Sequence, residues 1–262
     1  SLVTIYQLES MGWEAEEYVP MTLVITGVVF LLAAMPTFIY LDRDEIKKID
    51  NLSISFVTNR FLDTLRQGDR FVDLYRFLLS TVFFQGGVQA VIALAAIYAQ
   101  QVIGFTFTET IMLIMVVNVT AALGAYIFGR LHDFMGHRQS LILILTGWIV
   151  VTLLAWLSDD RPSFWVTANL VGLLLGACQS NTRAFVSVLT PINRQAEFFG
   201  LWGLSVKCAS ILGPLTYGAL TWLTGGDHRN AILSLVVLFV IGLTILMTVD
   251  TERGISAAKH SY

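Results

Sequence analysis

Seven stretches of mainly apolar residues follow one another along the chain, at 20–41, 71–99, 108–128, 140–157, 163–189, 198–223 and 231–249. Each is near the roughly 20 residues that an α-helix needs to cross the hydrocarbon of a bilayer. Polar residues inside them recur at spacings of three and four, the period of a helix face, so the pattern predicts an all-α membrane protein with seven transmembrane helices. Residues 1–19 read as an extracytoplasmic segment that carries Glu9, Glu14, Glu16 and Glu17 and lacks the basic start of a signal peptide. The chain starts at Ser1 with no initiator methionine, and a truncated beginning is expected, with residues 2–8 the end of an earlier span.

The sixth stretch is the least ordinary. Gly200, Gly203, Lys207, Ser210, Pro214 and Gly218 follow in steps of three and four and set one stripe of small and polar residues on a single face. Lys207 lies about 14 Å past Phe198 by helical rise. An ammonium at that depth costs from about 3 to well over 10 kcal/mol unless it meets a polar interior or water. Two readings follow: Lys207 lines a solute path, or it snorkels or pairs with an acid on a neighbouring helix. The small residues either admit another helix closely or leave room for a solute, and Pro214 frees a backbone carbonyl.

The fifth stretch carries a second polar face made of Asn169, Gly172, Gly176, Gln179 and Arg183. Gly172 and Gly176 form a small-xxx-small pair suited to close helix packing. Arg183 either snorkels to the interface or lines a cavity, where a guanidinium can hold a carboxylate or phosphate while the Gln179 amide orients it. In the second stretch Thr81, Gln85 and Gln89 share a face beside a Gly86-Gly87 pair expected to loosen the helix. Asp73 and Arg76 near its start are spaced for a local ion pair. Thr106 and Glu109 have the spacing of a capping box, which accounts for Glu109 without a proton-carrying role.

Composition agrees with the pattern. With 55% hydrophobic residues, 13% charged residues and a mean hydropathy of +0.70, the chain cannot hide its apolar surface in one soluble domain. Basic residues cluster in alternate connections: Arg43, Lys47, Lys48, Arg60, Arg66 and Arg70, then Arg130 and Arg138, then Arg194, and finally Arg253 and Lys259. The other connections hold only Arg161 and Arg229, so the positive-inside rule puts the N-terminus outside and the C-terminus inside. In the longest connection, 42–70, Ile54, Val57, Phe61 and Leu65 recur at helical spacing and predict an amphipathic interfacial helix or a hinge between bundles. Cys178 and Cys208 both fall inside spans and are expected to be core packing.

No Asp or Glu falls in the middle of a span. Lys207 and Arg183 therefore need a counter-charge from helices outside this chain, from an anionic substrate group, or from both. No His cluster, Ser-His arrangement or nucleotide-binding loop is present, so an enzyme or an ATP-driven pump is unsupported, and no metal, cofactor or nucleic acid is expected.

The run GRLHDFMGHR fits two glycines, an acid and a base into a tight turn after the third stretch. Gly129 and Gly136 permit close approach and unusual backbone angles, Asp133 can accept from backbone amides or face a helix N-terminus, and Arg138 can neutralise it. This run resembles the signature loop of the major facilitator superfamily, which lies between the second and third helices of each six-helix half. The segments FLLSTVFFQGGVQAVIALAAIYA, GACQSNTRAF, PINRQAEFFGLWGLSVKCASILGPL and LTGGDHRNAILSL resemble the vacuole effluxer (autophagy-related) branch of that superfamily, over residues 71–254. The resemblance implies a secondary transporter of twelve or so helices in two bundles that rock about a central site, with yeast-type members exporting amino acids from the vacuole. It extends to Gln179, Arg183 and Lys207. Where the family has an Asn-Asp-Gly type of stretch, this chain has Gln85-Gly86-Gly87, which leaves the missing N-terminal half to hold any titrating carboxylate for proton coupling.

The expected organisation is thus a helix at 20–41, a cytoplasmic loop at 42–70, a six-helix C-terminal transporter bundle at 71–249 and a cytoplasmic tail at 250–262, in a bacterial inner or a vacuolar membrane. Lys207, Arg183, Gln179, Gln85, Gln89 and Asn169 are the expected substrate path, and Gly129, Asp133, Gly136 and Arg138 the expected gating loop. The expected partners are a small solute such as an amino acid, the lipid bilayer, the missing N-terminal half and protons. A seven-helix receptor without solute flux is the alternative.

Overall fold

The structure, a computed structural model, describes residues 15–40 and 70–259. The chain divides into two compact units, 1–61 and 62–262. The expected end of an earlier span at 2–8 and the expected amphipathic helix within 42–70 lie outside the described residues.

In the first unit α1 runs Ala15–Tyr40 and continues through Pro20 and Pro36. Its apolar run Pro20–Pro36 is shorter than the other candidate spans. Leu23, Phe30, Leu31 and Phe38 are all exposed on it, as suits a helix surrounded by lipid or by other helices.

The second unit holds α2 (Val72–Gln101), α3 (Phe107–Met135), α4 (His137–Leu157), α5 (Arg161–Leu189), a 3-10 turn (Ile192–Arg194), α6 (Gln195–Leu223), the short α7 (His228–Ala231), α8 (Leu233–Met247) and α9 (Thr251–Lys259). Among the described residues five segments are long and apolar enough to cross a membrane: α2, α3, α4, the turn with α6, and α7 with α8. α5 matches them in length, but Asn169, Gln179, Ser180, Asn181 and Arg183 make it too polar to qualify by composition.

Local chemistry sets the helix ends. Thr106 and Glu109 form the expected capping box at the start of α3, with the Thr106 N–H donating to Glu109 Oε2 at 2.8 Å and the Glu109 N–H donating to Thr106 Oγ1 at 3.2 Å. A single residue, Gly136, separates α3 from α4, at φ 83° and ψ 153°. Residues with a Cβ are nearly excluded from that region, so glycine is required for so sharp a reversal. Asp227 caps α7 by accepting from the Asn230 N–H at 3.0 Å, and this bond leads the causes that hold its carboxyl below the usual carboxylate range.

Packing runs in the order α6, α2, α8, α4, α5, α3, which leaves α6 and α3 at the two margins. Close backbone approach fixes both marginal pairs. A methyl group on Gly213 of α6 would run into the Gly86 carbonyl of α2. Methyl groups on Gly172 and Gly176 of α5 would run into Val117 and Ala121 of α3, and one on Gly124 of α3 into Leu173. The small-xxx-small expectation for Gly172 and Gly176 therefore holds. The expectation that Gly86-Gly87 loosens α2 does not, because α2 is continuous and the pair is where α6 and Phe239 of α8 press against it. Aromatic contacts fill the centre, with Trp148 stacked on Phe239 at 5.2 Å and Phe77 tilted against Phe185 at 4.7 Å between ring centroids.

Charged residues tie the bundle at both ends. At the Tyr98 end, Arg161 binds Glu109 at 2.9 Å and the Gly104 carbonyl at 2.7 Å, while Arg229 binds Asp159 at 2.6 Å and the Trp156 carbonyl at 2.8 Å. At the opposite end Asp73 accepts both arms of Arg253, at 2.6 and 2.7 Å, and the backbone N–H of Asp250 at 2.8 Å. The expected Asp73–Arg76 pair is not formed. Arg76 instead donates to the Thr248 carbonyl at 3.1 Å, because the carboxylate is already filled and the end of α8 offers free carbonyls.

Candidate functional site

The polar faces of α5 and α6 meet near one aromatic ring. Arg183 of α5 lies with its guanidinium 5.9 Å from the ring centre of Trp202 on α6, within cation–π reach. Lys207 follows Trp202 on α6 after about 7.5 Å of helical rise. Both cations are exposed, and neither has an acidic partner among the described residues. Among the described residues nothing lies within 4 Å of where a Cβ would stand on Gly200, Gly203 or Gly218. Among the described residues that stripe is unpacked, whereas Gly213, on another face of α6, is packed against Gly86.

The other expected path residues divide. Gln179 and Gln89 are half-buried, and Asn169 donates to the Trp165 carbonyl of its own helix at 2.8 Å. Gln85 is fully buried, and neither its amide nitrogen nor its oxygen has a partner. It is therefore closed off from the open face that carries Lys207. The polar face of α2 at Thr81 and Gln85 turns into the bundle, and Thr81 satisfies its hydroxyl by donating to the Phe77 carbonyl at 2.9 Å. The cysteine expectation also divides, with Cys178 buried and Cys208, beside Lys207, exposed.

At the Asp73 end the expected gating loop takes an unexpected form. Arg138 does not neutralise Asp133; it donates to the Met247 carbonyl at 2.6 Å, at the negative end of α8. Asp133 is 70% exposed and stands 3.3 Å from His132 Nε2. A methyl group on Gly129 would meet Ser180 only at ordinary contact distance, and the strained angles belong to Gly136. Arg76, Arg138 and Asp73 thereby all grip residues 247–253, and Asp73 holds the Arg253 guanidinium above its ordinary pKa. Sequence reasoning missed this convergence and missed Trp202, since each depends on partners far apart in the chain.

The chain matches the family model described as "Vacuole effluxer Atg22 like" over residues 1–259. It belongs to that Atg22-like family. Among its relatives are the uncharacterized MFS-type transporter YxiO of Bacillus subtilis (strain 168), 27% identical over 99% of this chain and 60% of the relative, and autophagy-related protein 22 of Cryptococcus neoformans var. neoformans (strain JEC21), 24% identical over 88% and 44%. Autophagy-related protein 22-1 of Penicillium rubens is 25% identical over 73% and 34%. The chain thus spans 60% or less of the length of these relatives. Apolar helices together with Atg22-like membership make it an integral membrane protein.

Proposed function

We propose that the chain supplies the C-terminal half of a major facilitator transporter, which moves a small polar solute bearing a carboxylate, such as an amino acid, by alternating access. On this reading α2 to α6 and α8 are six crossings, α1 is a seventh, and the Asp73 end faces the cytoplasm. One observation carries the proposal: Lys207 stands midway along a membrane-length helix, on an open stripe of glycines, without an acidic partner among the described residues. A charge so placed is costly unless a solute or another helix answers it.

Lys207 and Arg183 offer only donors, so the group that they hold must accept. A carboxylate fits, with Gln179 and Gln89 orienting its polar remainder. Proton coupling on this reading belongs to an acid of the N-terminal half. Gating belongs to Gly129, Asp133, Gly136 and Arg138, where the one-residue link couples any tilt of α3 to α4.

The test is counterflow of a panel of labelled amino acids in proteoliposomes of the full-length protein, with Lys207→Met and Lys207→Arg beside it. Exchange that Met abolishes and Arg partly keeps supports the proposal. Unchanged exchange in Lys207→Met overturns the role of Lys207. Saturable amino acid binding without flux in the unsubstituted protein would favour a receptor instead.

A further inference from the structure

Four aromatic rings from four helices stand in a row at the Asp73 end. His132 of α3 stacks on His137 of α4 at 4.6 Å between ring centroids, His137 stacks on Phe185 of α5 at 6.0 Å, and Phe185 leans on Phe77 of α2 at 4.7 Å. The two phenylalanines are fully buried. The sharp reversal at Gly136 runs between the two histidines, so their stack pins the link from α3 to α4.

The two imidazoles differ in what they face. His132 Nδ1 donates to the Phe128 carbonyl at 3.2 Å and its Nε2 lies 3.3 Å from the Asp133 carboxylate, so both nitrogens have an acceptor in reach. His137 is half-buried, and its Nδ1 is buried with no partner among the described residues. A bare imidazole nitrogen is tolerable there; a protonated one is a donor with nothing to receive it. The added charge would also press against His132, at the N-terminus of α4, where the helix dipole is already positive. The remaining charges near the pair are Asp133 on α3, Arg138 on α4 itself and, around a cavity that His137 shares with them, Arg76 of α2 and Asp250, Glu252 and Arg253 beyond α8. α5 meets the ring with the uncharged Phe185. Arg253 is already spent on Asp73, and the three acids are exposed to solvent, which screens them, whereas the His132 ring is in contact.

We infer that the His132–His137 pair is a proton-operated latch on the α3–α4 link: with His137 neutral the row of rings is closed, and a proton on His137 parts the two imidazoles and frees the link. Opening favours the proton because water then reaches both nitrogens of His137. The closed row is therefore complete above the ordinary histidine range, at about pH 6.5, and is lost as the pH falls below it. Any consequence for transport rests on the gating role proposed above for Asp133, Gly136 and Arg138.

The test is amide hydrogen exchange over residues 130–140 of the full-length protein in nanodiscs, at about pH 7.5 and about pH 5.5, corrected for the intrinsic dependence of exchange on pH. Acid is expected to speed exchange about tenfold in this segment, the linkage for a one-unit difference in proton affinity between closed and open link, and to leave the interior of α4 unchanged. His137→Phe keeps a ring in the row but takes no proton, and should abolish the response. Asp133→Asn, at an exposed position, removes the acid beside His132 and should move the half-response to lower pH; it keeps the test alive should His137→Phe misfold. No acid response in the unsubstituted protein, a response that survives in His137→Phe, or a half-response that Asp133→Asn leaves in place overturns the inference. A link that loosens with acid while counterflow keeps its pH profile supports the latch and overturns the gating role instead.

Discussion

Asp73, the second residue of α2, holds Arg253 through two hydrogen bonds of 2.6 and 2.7 Å across 180 residues of sequence. Its side chain is 3% exposed while that of Arg253 is 56% exposed, so the two partners have different stakes in the pair. Removing the arginine strands a buried carboxylate; removing the acid releases a cation into solvent. The bond also anchors α9, because Gly254 packs against Leu189 and Asp73 where a side chain would collide with Leu189.

Arg253→Ala is therefore expected to destabilise the protein, because it leaves the buried Asp73 carboxylate without its cation. Arg253→Lys should recover only part of this, since an ammonium cannot reproduce the two-pronged geometry. Thermal unfolding of the protein in nanodiscs checks the order of the three forms. An Arg253→Ala protein as stable as the parent would reduce the pair to an ornament of the surface.

Two glycines of equal sequence appearance should behave oppositely. Gly176→Val drives a side chain into the Ala121 carbonyl, so α3 and α5 must part, with an expected loss of about 3 kcal/mol or more. Gly203→Val enters open space and is expected to change stability by no more than about 1 kcal/mol, the scale of its helix-propensity difference. Its effect should fall on solute counterflow instead. Equal destabilisation by both would mean that the Lys207 stripe is packed in the working protein.

Legibility in the sequence followed the range of each interaction. The Thr106–Glu109 box and the Gly172–Gly176 pair were readable because their geometry is set within one turn or one helix face. Asp73 was misassigned to Arg76 because a partner three residues away is visible in a sequence and one at Arg253 is not. Gln85 was grouped with Gln89 by helical period alone, yet period does not say which way a face turns, and this one turns inward at Gln85. Arg138 illustrates a third limit: the free carbonyls at the end of α8 outcompete Asp133, and backbone acceptors carry no signature in residue type.

The buried amide of Gln85 has a measurable stability consequence. With no partner for either atom, it carries a desolvation cost of about 1–3 kcal/mol for each unmade bond. Gln85→Met keeps the length and removes the polar atoms, so it is expected to raise stability by about 1–2 kcal/mol. Transport is expected to fall in the same variant if another conformation exposes the amide to the solute path. A stabilised protein with full counterflow would remove Gln85 from the path; a destabilised one would show that ordered water satisfies the amide in the resting state.

Arg183 and Trp202 offer the sharpest separation between a cation that merely reaches for the interface and one that is held for use. A snorkelling arginine owes nothing to a particular ring, so Trp202→Leu should then leave both stability and solute affinity unchanged. A positioned arginine owes its aim to the ring, with a contact worth about 1 kcal/mol at a partly exposed site. Trp202→Leu is then expected to raise the half-saturating solute concentration about fivefold with little change in maximal rate. Trp202→Phe should restore most of this, because the ring face remains. In an Arg183→Met background Trp202→Leu should have no further effect on that concentration, since the group being positioned is gone. Additive losses in the double variant would instead mean that each residue acts alone, and that the approach of ring to guanidinium is incidental packing between α5 and α6.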